Sequence, residues 1–368
     1  MSEKSNRLVT DIKLILKITL AWMILGVIFT LYDNVTTASK EFYIRTENYN
    51  FIAHMASNIG GAFLGGILGS TLIIFYSDRK LRKKSFLSYV FLNSFFVLVV
   101  IFLINVIISL VIWSIRLDMG ILNRETIINA MRFIFSIQML KNMGVWFFVT
   151  LGTTFILRVS EKYGPGVLQD IILGKYHKPV EEERIFMFLD IKSSTAIAEK
   201  IGHHKYFKLL SDFFADITDS IHYNKGEIYQ YVGDEVVVSW KIQNGLKNNN
   251  CLRCFFEAKK EIEKRSSKYM QRYSVVPEFK AGLHLGTATI GEIGVLKKEI
   301  AFSGDVLNTT ARIQSECNKY NSDLLISKNL LTGLENDPML EVKEIGEIEL
   351  RGKQEKTQLF SIKKNDNF

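Results

Sequence analysis

Cysteine is scarce in this chain, with three in 368 residues (Cys251, Cys254 and Cys317). That is too few for a disulfide framework and fits a reducing compartment. Cys251-Leu-Arg-Cys254 has C-x-x-C spacing, but no second ligand pair lies near it, so core or surface thiols are expected rather than zinc. The net charge is +8, yet no RNA- or DNA-reading motif accompanies it, and a nucleic-acid partner is not expected. The first apolar run is long and no small-residue cleavage site closes it, which argues against a signal peptide.

What the chain has in abundance is apolar sequence. Residues 18–32 are almost wholly apolar and extend back through Leu14, with Lys17 placed to snorkel. Three more runs follow at about 51–76, 86–113 and 132–157, each near or above the roughly 20 residues a spanning helix needs. Tyr32, Tyr76 and Trp113 sit at run ends, as interface anchors do. The reading is a four-helix transmembrane domain over residues 1–157 in a lipid bilayer. Arg79, Lys80, Arg82, Lys83 and Lys84 crowd the second connection, whereas the first and third carry two basic residues each. Positive-inside reasoning then puts the N-terminus and everything after the fourth span in the cytoplasm, at the inner (plasma) membrane. Both outer connections are short, so no extracellular domain is expected. Gly61, Gly65 and Gly69 recur at four-residue spacing, a stripe for close helix packing. His54 and Lys141 are ionisable groups in or near the spans, with Lys141 expected to lie deeper.

Residues 158–183 change character. Gly164-Pro165-Gly166 and Gly174 bracket a short amphipathic run, Val167–Leu173, before Glu181-Glu-Glu183. This is a linker, either a passive tether or a coupling element.

Residues 184–368 carry the chemistry. Ile185–Ile191 reads as a buried strand that runs into Lys192-Ser-Ser-Thr195 and then one long helix over Ala196–Asn224. Ile228–Val232 and Val236–Trp240 read as a hairpin with Gly233-Asp234 at its tip. A strand ending in Asp190 and a hairpin tip carrying Asp234 present two carboxylates to one point. Two hard oxygen ligands with open positions suit Mg²⁺ or Mn²⁺. The backbone N–H groups after Asp190, at Ser193, Ser194 and Thr195, would face a polyphosphate at a helix start. Either Asp alone would be an ordinary cap or turn residue; the pair is what points to a nucleotide–metal site. Later, Asn308 and Arg312 stand four apart on one helix face over Val306–Tyr320. An amide and a guanidinium side by side are suited to a ribose oxygen and developing charge on phosphorus, though each is also ordinary on a helix surface. Further strands are expected within Pro277–Thr289 and at Glu299–Phe302, Glu341–Leu350 and Gln358–Ile362, with helix-like sequence at 251–270.

Phe188-Leu-Asp-Ile-Lys-Ser-Ser-Thr195 followed by Val232-Gly-Asp-Glu235 resembles the metal-binding half of class III nucleotide cyclases, and Phe302-Ser-Gly-Asp-Val-Leu-Asn-Thr-Thr-Ala-Arg312 resembles their transition-state segment. The pattern of elements, and the resemblance with it, imply an α+β ferredoxin-like catalytic domain behind an all-α transmembrane domain. The resemblance implies Asp190, Ile191 and Asp234 as metal-binding residues for two Mg²⁺ or Mn²⁺ ions, with Asn308 and Arg312 catalytic. Arg351 or Lys353, in Glu349-Leu-Arg-Gly-Lys353, would reach the triphosphate of a nucleoside triphosphate substrate. It also implies a homodimer, because the family builds one site from two catalytic domains and this chain carries both residue sets in one domain.

Two positions depart from the family pattern. Gln230 and Ala301 stand where ATP-using members place Lys and Asp, and they match the guanylate pattern no better. Gln230 both donates and accepts, so it fits either purine edge, while Ala301 offers no hydrogen bond. The expectation is an adenylate cyclase, with guanylate cyclase and a non-catalytic nucleotide-binding receptor as the alternatives.

Overall fold

The computed structural model describes residues 3–38, 51–77, 84–163, 170, 173–349 and 356–365. The chain divides into two compact units, Met1–Tyr163 and Gly164–Phe368.

The first unit is helical. It comprises α1 (Glu3–Ala38), α2 (Phe51–Thr71, continued as a π-helical turn over Leu72–Ser77), α3 (Phe86–Leu117), α4 (Arg124–Ile134) and α5 (Ile137–Tyr163). Four stretches are long and apolar enough to cross a membrane: Asp11–Val35, Met55–Tyr76, Phe86–Leu117 and Ile137–Ser160. The fourth begins later than 132. The preceding residues belong to α4, a separate amphipathic helix whose N-cap Asn123 accepts from the Glu125 N–H at 2.9 Å. A break at Phe135 and Ser136 separates it from α5.

The core of this unit gathers Trp22, Ala62, Val97, Ile101 and Trp146. The two indole rings lie 5.5 Å apart, and Trp22 Nε1–H donates to Thr153 Oγ1 at 2.9 Å. Of the glycine stripe, Gly65 and Gly69 pack within the unit, as does the neighbouring Gly66, whereas Gly61 meets nothing within 4 Å. A side chain at Gly69 would meet Val97 at 2.9 Å, and one at Gly66 would meet Thr19 at 2.9 Å. Lys141 does not lie deep. It is in the second turn of α5, half exposed, and its ammonium donates to both oxygens of Asp33 at 2.8 Å. His54 falls on α2, with its side chain outside the described set.

The second unit is a mixed sheet with helices. Its elements run β1 (Val180–Ile191), α6 (Ser194–Ile201), α7 (His203–Tyr223), β2 (Glu227–Val232), β3 (Glu235–Lys241), α8 (Ile242–Leu246), α9 (Asn250–Lys264), α10 (Ser266–Tyr273), β4 (Phe279–Ile293), β5 (Glu299–Ser303), α11 (Asp305–Glu316), β6 (Leu324–Ser327), α12 (Lys328–Leu331), β7 (Leu340–Glu349) and β8 (Lys356–Lys364). The strand order is β2-β3-β1-β4-β6-β8-β7, with β5 hairpinned onto β4. All pairings are antiparallel except β4 with β6. Before β1, Gly174–Pro179 packs on this unit: the buried Tyr176 accepts the Glu292 N–H through its carbonyl at 3.0 Å. The amphipathic run expected at Val167–Leu173 lies mostly outside the described residues. Arg158–Tyr163 continue α5 and Val180–Glu183 already belong to β1, so the stretch between regular elements is shorter than 158–183.

β1 is central and apolar on both faces, as a strand covered on two sides must be. Ile185, Met187, Leu189 and Ile191 enter a large core with α7 and α9. Phe186 and Phe188 point the other way, towards Val237, Val306 and Phe302. Three expectations change here. The single helix over Ala196–Asn224 is two helices, because Gly202 sits at φ +82 and turns the chain. The helix-like 251–270 also divides, at Arg265. The four-residue strand β6 was not expected at all; its Leu324, Leu325 and Ile326 are fully buried. All three cysteines are free and buried, with burial pushing the Cys251 and Cys317 thiols up to about 12.

Candidate active site

Asp190 is the penultimate residue of β1, in register with Glu235 of β3 on one side and Lys280 of β4 on the other. Antiparallel pairing therefore fixes the hairpin tip beside the end of β1. Gly233 turns that tip at φ +63, a left-handed conformation glycine adopts without strain. The result is the meeting anticipated from the sequence: the Asp190 and Asp234 carboxyls lie within hydrogen-bonding reach of each other.

Two further groups hold Asp190. The Gln314 amide donates to its Oδ2 at 3.0 Å, and the buried Lys280 ammonium stands 3.6 Å from the same oxygen. Gln314 reaches it because α11 lies directly on β4. A side chain at Gly282 would collide with the Gln314 backbone, so only glycine allows this approach. Neither Lys280 nor Gln314 was singled out in the sequence, since each contact depends on strand register and helix docking rather than spacing.

The electrostatics show an excess of negative charge. Burial, then the neighbouring Asp234 carboxyl, raise Asp190 above the ordinary carboxylate range, against the pull of Lys280 and Gln314. Burial, then Asp190 and Asp234, push Glu235 up to about 7. One ammonium facing three acids leaves charge that a divalent cation would neutralise. The donors are hard oxygens, as Mg²⁺ or Mn²⁺ requires. The residues thus fit the group, although no cluster of three or more His, Cys, Asp or Glu side chains arranged for a metal occurs among the described residues.

The turn after β1 is built tightly. Ser193 caps α6 at φ +54, and its carbonyl accepts the Ile197 N–H at 3.0 Å. The Lys192 N–H is already given to the Glu278 carbonyl at 2.8 Å, and the Lys192 ammonium turns to Asp323 at 2.5 Å. Ser193, Ser194 and Thr195 are the residues at the helix start.

Asn308 and Arg312 lie on α11 as expected, but away from Asp190. The helix buries Val306, Thr309, Thr310, Ile313 and Gln314. Gln314 faces Asp190, and at 100° per residue Arg312 points roughly 200° away from it around the helix axis. Asn308 is exposed, and among the described residues no ion pair holds Arg312. Within one chain the pair and the carboxylates do not converge.

Gln230 is exposed on β2, beside a register shift between Ile228 and Gln230, and Ala301 is paired with Gly291 on β5. Their neighbours bring these strands together: the Tyr229 and Phe302 rings are 4.7 Å apart, and the Phe302 N–H donates to Tyr229 Oη at 3.4 Å. Beneath Phe302 lies Arg184, fully buried, its guanidinium donating to Glu227 (2.7 Å), Glu182 (3.0 Å) and Ser239 (2.9 Å). Arg351 and Lys353 lie outside the described residues.

Comparison with known proteins identifies the family of the second unit. The family model for the adenylate and guanylate cyclase catalytic domain matches residues 176–364. Adenylate cyclase 2 of Rhizobium meliloti (strain 1021) is 36% identical over 222 residues, covering 60% of this chain and 61% of that protein. Adenylate cyclase 1 of the same organism is 24% identical over 186 residues, 49% of this chain and 27% of that one. The chain therefore spans less than two thirds of either relative. Among solved structures, a bacterial light-regulated adenylyl cyclase is similar in fold, with a TM-score of 0.50 and 20% identity over 62% of this chain and 65% of that one.

Proposed function

The chain belongs to the adenylate and guanylate cyclase catalytic-domain family, and from that premise we propose that it is a membrane-anchored, homodimeric adenylate cyclase. It would convert ATP to 3′,5′-cyclic AMP and pyrophosphate. The observation that carries this reading is the division of labour in the second unit. Asp190 and Asp234 meet, while Asn308 and Arg312, on a helix that touches Asp190 through Gln314, face elsewhere. A second copy of the chain supplies the missing half of each site, and two equivalent sites form per dimer.

In the reaction the substrate's 3′-oxygen bonds to the α-phosphorus and loses its proton, and the bond from that phosphorus to the β-phosphate oxygen breaks to release pyrophosphate. Asp190, Asp234 and the Ile191 carbonyl oxygen would hold the divalent ions. When bound, Mg²⁺ or Mn²⁺ supplies Lewis acidity that lowers the hydroxyl's pKa and offsets triphosphate charge. Gln314 and Lys280 fix the Asp190 carboxyl in one orientation. From the partner, Asn308 orients the ribose and Arg312 donates to the phosphate oxygens as charge builds there. Ser193, Ser194 and Thr195 offer the helix start to the phosphates, with Arg351 or Lys353 as the late cationic contact. Gln230 meets the base edge, and Ala301 adds no hydrogen bond, so discrimination between purines is modest. ATP is preferred over GTP in this reading because the 36%-identical relative is named an adenylate cyclase. The four apolar helices anchor the chain, with the basic 77–85 connection and the catalytic unit on the cytoplasmic side.

The test is complementation. Purified full-length Asp190→Asn and Arg312→Ala proteins should each be inactive with Mn²⁺ and ATP. Coexpressed, they should recover roughly a quarter of wild-type turnover, since half of randomly paired dimers are mixed and each keeps one intact site. No recovery would refute the shared site. GTP outpacing ATP would make it a guanylate cyclase, and nucleotide binding without pyrophosphate release a receptor.

A further inference from the structure

The second unit contains a cavity of about 270 Å³ that the proposed reaction does not use. For scale, an apolar cavity of roughly 150 Å³ takes up benzene. Its floor is apolar, formed by Ile262 of α9, by Val276 in the connection before β4 and by Phe279 at the start of β4. Two ammoniums flank the floor, Lys192 and Lys259, and both donate to Asp323, at 2.5 and 2.7 Å. At the mouth stand two exposed carboxylates, Glu263 and Glu278. Lys192 is 3.6 Å from Glu278.

The lining thus offers three distinct chemistries within the reach of one small molecule. Each ammonium has three N–H groups and uses at most two of them on Asp323 and Glu278, leaving donors for a further carboxylate. Glu263 and Glu278 call for a cationic group. The floor calls for an aliphatic or aromatic one. A simple anion would leave Glu263 without a counter-charge and draw Lys192 from Glu278, and a simple cation would face the lysines.

We propose that this cavity binds a zwitterion with an apolar side group, a free α-amino acid of the leucine or phenylalanine kind, and that its occupancy adjusts the catalytic turn. The carboxylate seats between Lys192 and Lys259, the ammonium between Glu263 and Glu278, and the side group on Ile262 and Phe279. The path to the active site is short and covalent: Lys192 lies two residues after Asp190, and its N–H is held by the carbonyl of Glu278 at 2.8 Å. Asp323 joins the same region from below, since its carbonyl accepts the N–H of Ala281, next to Lys280. A ligand that draws Lys192 from Asp323 shifts the backbone on which Asp190 is carried.

The experiment uses the full chain in detergent, without nucleotide. Binding of L-leucine and L-phenylalanine is measured by equilibrium dialysis beside N-acetyl-leucine, which lacks the ammonium, and leucinamide, which lacks the carboxylate. The free amino acids should bind saturably at one site per chain. Both derivatives, and both the Lys259→Met and Glu263→Gln proteins, should bind about tenfold more weakly or worse, the worth of one hydrogen bond to a charged group. No saturable binding, equal binding of either derivative, or unchanged binding by Lys259→Met overturns the site. The coupling rests on the cyclase reading and is measured separately: the amino acid should shift the Mn²⁺ concentration giving half-maximal turnover in wild type but not in Lys259→Met, whose basal turnover stays unchanged. Binding without that shift overturns the coupling, and loss of turnover with binding intact condemns the cyclase reading instead.

Discussion

The two units bury opposite things. On the helical unit, Leu20, Ile107 and Phe148 turn outward at 59%, 61% and 70% exposure, while Thr30, Asn93 and Thr150 are fully buried. The catalytic unit does the reverse, packing Ile185, Met187, Val236 and Leu283 inside. The treatment of buried polar groups differs too. Neither amide atom of Asn93 finds a hydrogen-bond partner among the described residues, whereas Arg184, equally buried, has three. In water, an unpaired buried charge costs several kcal/mol, so the fully buried Arg184 is held by acceptors on three sides. An outward surface of large apolar side chains is stable only against lipid, where every helix must satisfy its own backbone. The contrast is the one expected if the helical unit faces lipid, as proposed, and the catalytic unit faces water.

The sharpest way to break the comparison is at the carboxylates. Asp190→Ala should lower turnover by about three orders of magnitude or more while the thermal midpoint holds, because the role proposed for the residue is cation binding rather than packing. Near-wild-type activity would remove the carboxylate pair from the reading. Arg184→Met should come next, costing about 3 kcal/mol of catalytic-unit stability by leaving Glu227 without its cation and Glu182 with Lys175 alone. Denaturant unfolding measures it, and a neutral result would mean the netted charges are dispensable. Gly282→Val should cost about 1–3 kcal/mol through collision with α11, against no more than about 0.5 kcal/mol for Gly61→Val, which meets nothing within 4 Å. Equal losses would contradict the close approach that delivers Gln314. The smallest effect is expected at Asn93→Leu, a gain of about 1 kcal/mol in detergent melts, since an unpartnered amide is removed from the helical core. A loss there would show that the amide has a partner.

Much of this was legible in the residues. The apolar runs marked four helices because length and composition alone decide whether a segment can cross a bilayer. The apolar run of Ile185–Ile191 marked a buried strand, and Gly233-Asp234 between β2 and β3 marked the hairpin. What stayed hidden has a common cause. Gly202 sits in a continuous helical pattern, and nothing local announces that it adopts φ +82. The last three residues of α4 were merged with the fourth span because Phe133 and Ile134 adjoin a longer apolar run. β6 has only four residues, too few for a period to register. Lys280 and Gln314 are ordinary on a strand and on a helix, and their meeting with Asp190 follows from pairings across separations of 90 and 124 residues along the chain.

By itself the sequence determined where apolar helices, strands and turns form, and which acids, amide and guanidinium are available for chemistry, because those depend on local periodicity and side-chain type. Only the tertiary structure decided that Glu235, Lys280 and Gln314 join Asp190 there, since β register and the close docking of α11 over Gly282 set those distances. It alone turned Asn308 and Arg312 away from that cluster, because a helix pinned by one face must offer its other face elsewhere.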